Sequence, residues 1–170
     1  MDADELRRLQ APLKDRYRND PASAQVTLRA DGALDDAVAC NVQTAQALVQ
    51  AGLHPATGGD GAAVCSGDML LQALVACAGV TLRAVATATG ITVHGGRIRA
   101  EGDLDFRGTL GVSKDVPVGF RAIRLRFALD TDATPEQLDT LQRLTTRYCV
   151  VLQTLCHPPA IELHVGDGNA

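Results

Sequence analysis

Residues 65–82, CSGDMLLQALVACAGVTL, lie at the head of the most apolar stretch of the chain, which continues to Thr89. From Asp68 to Thr89 Leu, Ala and Val dominate. Ser66 stands where a helix cap belongs and Gly90 where a left-handed terminator belongs, so the stretch predicts one long helix. Polar side chains are too few for a solvated face, which makes it a buried central helix. Its small residues Ala73, Ala76, Ala78 and Gly79 allow another backbone to approach closely, so a sheet or a second helix is expected against it.

Downstream the period changes. Residues 97–100 and 123–127 alternate polar and apolar, and glycines punctuate Ile91 to Asp130, predicting three antiparallel strands. Thr134, Pro135 and Gln137 form a capping-box signature that opens a helix. Its apolar stripe runs through Leu138, Leu141, Tyr148, Leu152 and Leu155 until Pro158 and Pro159 stop it. Tyr148 is expected in the core, and Ala160 to Val165 reads as a last strand. Upstream, Leu6, Leu9, Leu13 and Tyr17 mark an amphipathic helix over about residues 3–18, with Pro12 as a point of kinking. Ala24–Ala30 and Ala33–Val42 read as a hairpin turning at Asp31 and Gly32. Thr44–Ala51 reads as a short helix, and His54–Gly61 as a loop. The division expected is an N-terminal helical extension over 1–22 and a single α+β domain over 23–170.

The 170 residues are 46% hydrophobic and 21% charged, with a net charge of −4. One domain can bury a real core at this length. The arginines are scattered, so no nucleic-acid footprint and no membrane-binding basic helix is expected. The charged first twenty residues do not read as a signal peptide, so a cytoplasmic protein is expected. Gly58-Gly59-Asp60-Gly61 lacks the lysine and hydroxyl residue of a phosphate loop. His54, Asp60 and Cys65 are too loosely spaced for a metal site, and no cofactor is expected.

The five cysteines, Cys40, Cys65, Cys77, Cys149 and Cys156, are then the only plausible nucleophiles. An odd number in a chain read as cytoplasmic argues against a structural disulfide framework. Cys149 and Cys156, seven apart on one predicted helix, are about 10 Å apart along its axis and cannot bridge. Cys77 lies on a different helix, and two packed helices can bring it to Cys149 or to Cys156. Cys40, Cys65 and Cys156 are assigned to packing. A mid-helix thiol gains little from its own helix dipole, so Cys77 calls for a cation from elsewhere. Arg83, six residues along, points away. Arg29 is the better candidate, with Arg18 and Arg16 next.

Residues 65–82, together with DLDFRGTLGV (103–112), PVGFRAI (117–123) and RYCVVL (147–152), resemble the OsmC/Ohr family over roughly residues 24–165. The resemblance implies an OsmC-like fold in which antiparallel sheets wrap two central helices of an intertwined homodimer, with active sites at the interface. It implies a thiol peroxidase that reduces organic hydroperoxides or hydrogen peroxide and is recycled by an external thiol or dithiol. Cys77 matches the peroxidatic cysteine, Cys149 the resolving cysteine, and Asp68 the family's carboxylate, normally glutamate. Two departures stand out. Asp68, nine residues before Cys77, falls on the opposite face of a regular helix. No arginine or lysine occurs between Asp31 and Leu82, so Arg29 would have to replace the family's loop arginine. The rival expectation is a non-catalytic OsmC-like dimer binding a small apolar ligand at the interface. A cysteine hydrolase ranks last, because nothing places a histidine base beside Cys77.

Overall fold

A computed structural model of the chain describes residues 3–35, 39–42, 51–62 and 64–163. Helix α1 (Ala3–Asn19) runs unbroken through Pro12. Strands β1 (Gln25–Asp35) and β2 (Ala39–Val42) follow. Two short strands, β3 (Ala51–Gly52) and β4 (Val64–Cys65), flank the loop and pair in parallel. Helix α2 spans Ser66–Thr89, and β5 (Val93–Asp105), the single turn α3 (Phe106–Thr109) and β6 (Ala122–Thr131) come next. Two helices close the described chain, α4 (Pro135–Tyr148) and α5 (Val150–Cys156). The main sheet is antiparallel throughout, in the order β2-β1-β5-β6.

The period of two in these strands decides what faces α2. Ile98 and Ala100 of β5 are fully buried, and their neighbours Phe127 and Leu125 on β6 share that side. Against this face α2 turns Leu71, Leu74, Val75, Ala78, Leu82, Val85 and Ala86, all buried at the three- and four-residue steps of one helical stripe. The helix is long and apolar enough to cross a membrane, but that apolarity is answered here by the sheet. Gly90 ends it in the left-handed conformation at φ 68°, its N–H donating back to the last turn, as the sequence predicts. The start differs. Cys65, not Ser66, occupies the cap position and makes no side-chain capping bond.

The other sheet face is ionic. Asp103 accepts from Thr27 Oγ1 at 2.7 Å and from both Arg124 Nη atoms at 2.5 and 2.9 Å, while Glu101 accepts from Arg126 at 2.5 Å. Asp105, buried at the end of β5, caps α3 and receives a two-pronged bond from Arg107, whose Nη2 lies at 2.6 Å.

Several expectations need correction. Asp31 and Gly32 are not a turn but lie inside the eleven-residue β1, opposite Arg99 and Ile98, where ladder bonds to β5 override the local turn propensity. Residues 91–130 hold two strands rather than three, because 110–121 cross over without regular structure. Residues 160–163 form no strand. The helix expected over 44–51 and the residues after 163 lie outside the described residues, except that Ala51 belongs to β3. Tyr148 is 57% exposed, not in the core, and stacks under Arg147 instead. The capping box at Thr134 and Gln137 is formed in both directions.

Arg107 holds the Asp105 carboxyl below the usual carboxylate range, against the opposing effect of burial. A depressed folded pKa contributes stability that is complete above the unfolded value and is lost as the pH falls through the folded one. Asp105→Ala is expected to cost about 2 to 4 kcal/mol at pH 7 in urea unfolding, less than a wholly buried pair because Arg107 is partly solvated. The difference from the parent should shrink in acid.

Candidate functional site

The long C-terminal helix read from the sequence is in fact two. At Cys149 the backbone leaves helical geometry (φ −70°, ψ 105°), ending α4 and starting α5 with one residue. The hydrogen bonding is rerouted around it. Cys149 N–H still donates to Thr145 O at 3.0 Å, and Cys149 O accepts from Gln153 N–H at 2.8 Å. The Thr146 carbonyl, whose helical partner would be Val150 N–H, accepts the Gln153 side-chain amide at 2.7 Å. β-Branched Val150 and Val151 favour such a break, since both lose side-chain freedom in a helix interior.

The break aims the freed N–H groups of Val150, Val151 and Leu152 at the thiols. Cys77, half-buried on α2, meets the backbone N–H groups of Val151 and Val150, the Cys149 thiol and the Thr81 hydroxyl one turn along its own helix. Burial alone would raise its pKa, but these four donors outweigh that and carry the thiol below its ordinary value. Cys149 is completely buried. Its thiol is pushed up to about 11, chiefly by burial, then by the bond to Cys77 and that neighbour's charge, against the N–H groups of Leu152 and Val151. Two adjacent thiols thus divide into one that ionises readily and one that holds its proton.

The other expected site residues sit apart from this pair. Asp68 is half-buried in the first turn of α2, its carboxyl raised by burial and partly lowered again by His54. Arg29 pairs across the ladder with Glu101 of β5, and its side chain lies outside the described residues. Arg16 lies over the Tyr17 ring at 5.0 Å and Arg18 pairs with Asp15 at 2.6 Å. Arg83 donates to the Val93 carbonyl. Among the described residues, no cation contributes to the lowering of Cys77. Of the cysteines assigned to packing, Cys65 lies partly buried against the core, Cys156 is exposed, and the Cys40 side chain is outside the described residues. His54 and Asp60 have local duties, accepting the Ala56 and Ala62 N–H groups at 3.0 and 2.9 Å.

Comparison with known proteins agrees with this arrangement of elements. The family model for OsmC-like proteins matches residues 58–164, well over half of the sequence. The chain belongs to the OsmC-like protein family. Among solved OsmC-like structures, a hydroperoxide resistance protein from Jannaschia sp. CCS1 superposes with a TM-score of 0.63 at 15% identity, covering 86% of this chain and 97% of its own. An OsmC-like protein from Mycoplasma pneumoniae gives 0.55 at 16% identity, covering 79% and 86%. At such identities the likeness is one of OsmC-like fold. No curated protein matches the chain.

What sequence reasoning missed is the set of backbone donors that meets Cys77. Thr81 was legible, four residues after Cys77 and on the same helical face. Thr81→Val keeps the shape of that side chain while deleting one donor. It should move the thiolate titration of Cys77 to higher pH and slow its alkylation by iodoacetamide at pH 7, with the thermal midpoint little changed.

Proposed function

We propose that the chain is a cysteine-based peroxidase acting on organic hydroperoxides, and the observation that carries this is the contact between the free, half-buried Cys77 thiol of α2 and the fully buried Cys149 thiol at the helix break. The Cys77 thiolate attacks the terminal peroxide oxygen. An S–O bond forms, the O–O bond breaks, and the departing alkoxide takes up a proton to leave as the alcohol. Cys77 becomes a sulfenic acid, oxidised by two electrons. Cys149 then attacks the sulfenic sulfur, forming the disulfide and releasing water, and an external dithiol returns both cysteines to thiols.

The division of acidity orders these steps. While Cys77 is a thiolate, its charge and its bond to Cys149 help to keep the second thiol protonated. Oxidation to the neutral sulfenic acid removes both influences, so Cys149 becomes a better nucleophile when it is needed. In this reading Asp68 stands where the family has its glutamate. Arg29 stands in this reading for the family's loop arginine. A homodimer also accounts for the exposed apolar residues Met69, Leu70 and Val80 on α2 and Val150 at the break.

Cys77→Ser should abolish consumption of an alkyl hydroperoxide, because a serine hydroxyl is far too weakly acidic to replace the thiolate. Cys149→Ser should complete one turnover and then accumulate sulfenic and sulfinic Cys77 under excess peroxide. Stopped-flow peroxide loss with intact-mass measurement separates the two. Equal loss of the first turnover in both variants, or a disulfide from Cys77 to Cys156, would overturn the assignment.

A further inference from the structure

Nothing in the local sequence forces the chain to break at Cys149. No glycine or proline stands there, and the apolar stripe of Leu141, Leu152 and Leu155 continues across it. Val150 and Val151 disfavour a helix only weakly. An unbroken helix would gain the bond from Val150 N–H to the Thr146 carbonyl, so another contact must favour the bend. Gln153 supplies one. Its own N–H donates to the Cys149 carbonyl at 2.8 Å and its carbonyl accepts from His157 N–H at 2.8 Å, which places its backbone in the ladder of α5. Its side chain, directed toward the N-terminus as in any helix, reaches back over the break and donates from Nε2 to the Thr146 carbonyl of α4 at 2.7 Å. In an unbroken helix residues seven apart are separated by about 10 Å along the axis, and that carbonyl is already taken. The bond therefore belongs to the bent chain alone, and a contact made in one of two conformations shifts the balance toward it.

We propose that Gln153 is a positioning residue for the thiol pair: by occupying the Thr146 carbonyl it holds α4 and α5 as two helices, and so keeps the Val150 and Val151 N–H groups turned toward Cys77. Without that side chain the Thr146 carbonyl returns to Val150 N–H, the two helices merge, and the donors are withdrawn into the helical ladder. Gln153 acts through the backbone rather than on sulfur. That the pair is a peroxidase site rests on the reading above. That Gln153 positions the pair does not, since its effect is read on the Cys77 thiol in the absence of peroxide.

The test follows iodoacetamide alkylation of Cys77 against pH in the reduced full chain, resolved by peptide mass spectrometry, for the parent, Gln153→Leu, Val150→Pro and the double variant. Leucine matches glutamine in helix propensity and removes the donor. Gln153→Leu should slow alkylation of Cys77 about fivefold at pH 7, the equivalent of one net hydrogen bond, with the midpoint of the profile moved to higher pH and the limiting rate at high pH retained. Proline at position 150 has no N–H, and in a straight helix its ring meets the Thr146 carbonyl, so it closes off the merged state. Adding Gln153→Leu to Val150→Pro should therefore change nothing further. The inference is overturned if Gln153→Leu leaves the profile in place, whatever its thermal midpoint, or if its effect is as large in Val150→Pro as in the parent. Either result leaves the peroxidase reading standing. Failure of the parent to consume peroxide, with the alkylation response intact, would overturn that reading and uphold this one.

Discussion

The proposed chemistry depends on a single helical hydrogen bond that is not made. Where Val150 N–H would have donated to the Thr146 carbonyl, the chain bends at Cys149, and the N–H groups of the next turn face two sulfur atoms. Orphan donors at a helix start need a partner, and a thiolate is a good one. The Gln153 side chain satisfies the carbonyl left behind, so the break does not leave both sides of the lost bond unmet.

Among the described residues, the packing of α2 on the sheet holds the second sulfur opposite that turn. Cys77 is midway along α2, whose position is fixed by the buried row from Leu71 to Ala86 against Ile98 and Ala100. The sheet is clamped from behind by the Asp103, Arg124, Glu101 and Arg126 network, which fixes the register of β5 against β6. A one-residue slip would carry Ile98 and Ala100 to the ionic face and withdraw the floor on which α2 rests.

Much of this was written in residue order. The α2 helix, its Gly90 terminator and the Thr134 capping box are local signals, each settled by neighbours within one turn, and each appears as read. The pairing of Cys77 with Cys149 followed from the family resemblance, while helix geometry alone left Cys156 equally open. What could not be read was set by tertiary contact. Asp31 and Gly32 have the composition of a turn, yet both are held extended by a partner strand about seventy residues away. The break at Cys149 carries no glycine or proline, and the apolar stripe continues across it, so periodicity sees one helix where there are two. For the same reason the search for an activating residue turned to cations such as Arg29: a backbone N–H has no letter in the sequence.

The most direct test removes one such N–H without disturbing the break. Val150 is the first residue of α5, it is 71% exposed, and Cys149 before it is already extended, so proline fits there and deletes only the donor. The measurement is the thiolate absorbance of Cys77 against pH in Val150→Pro, with Cys149 replaced by serine in both variant and reference. If backbone donors activate Cys77, its titration moves to higher pH while the circular dichroism spectrum is retained. An unchanged titration in a folded Val150→Pro protein would contradict the account and return the activation to a cation.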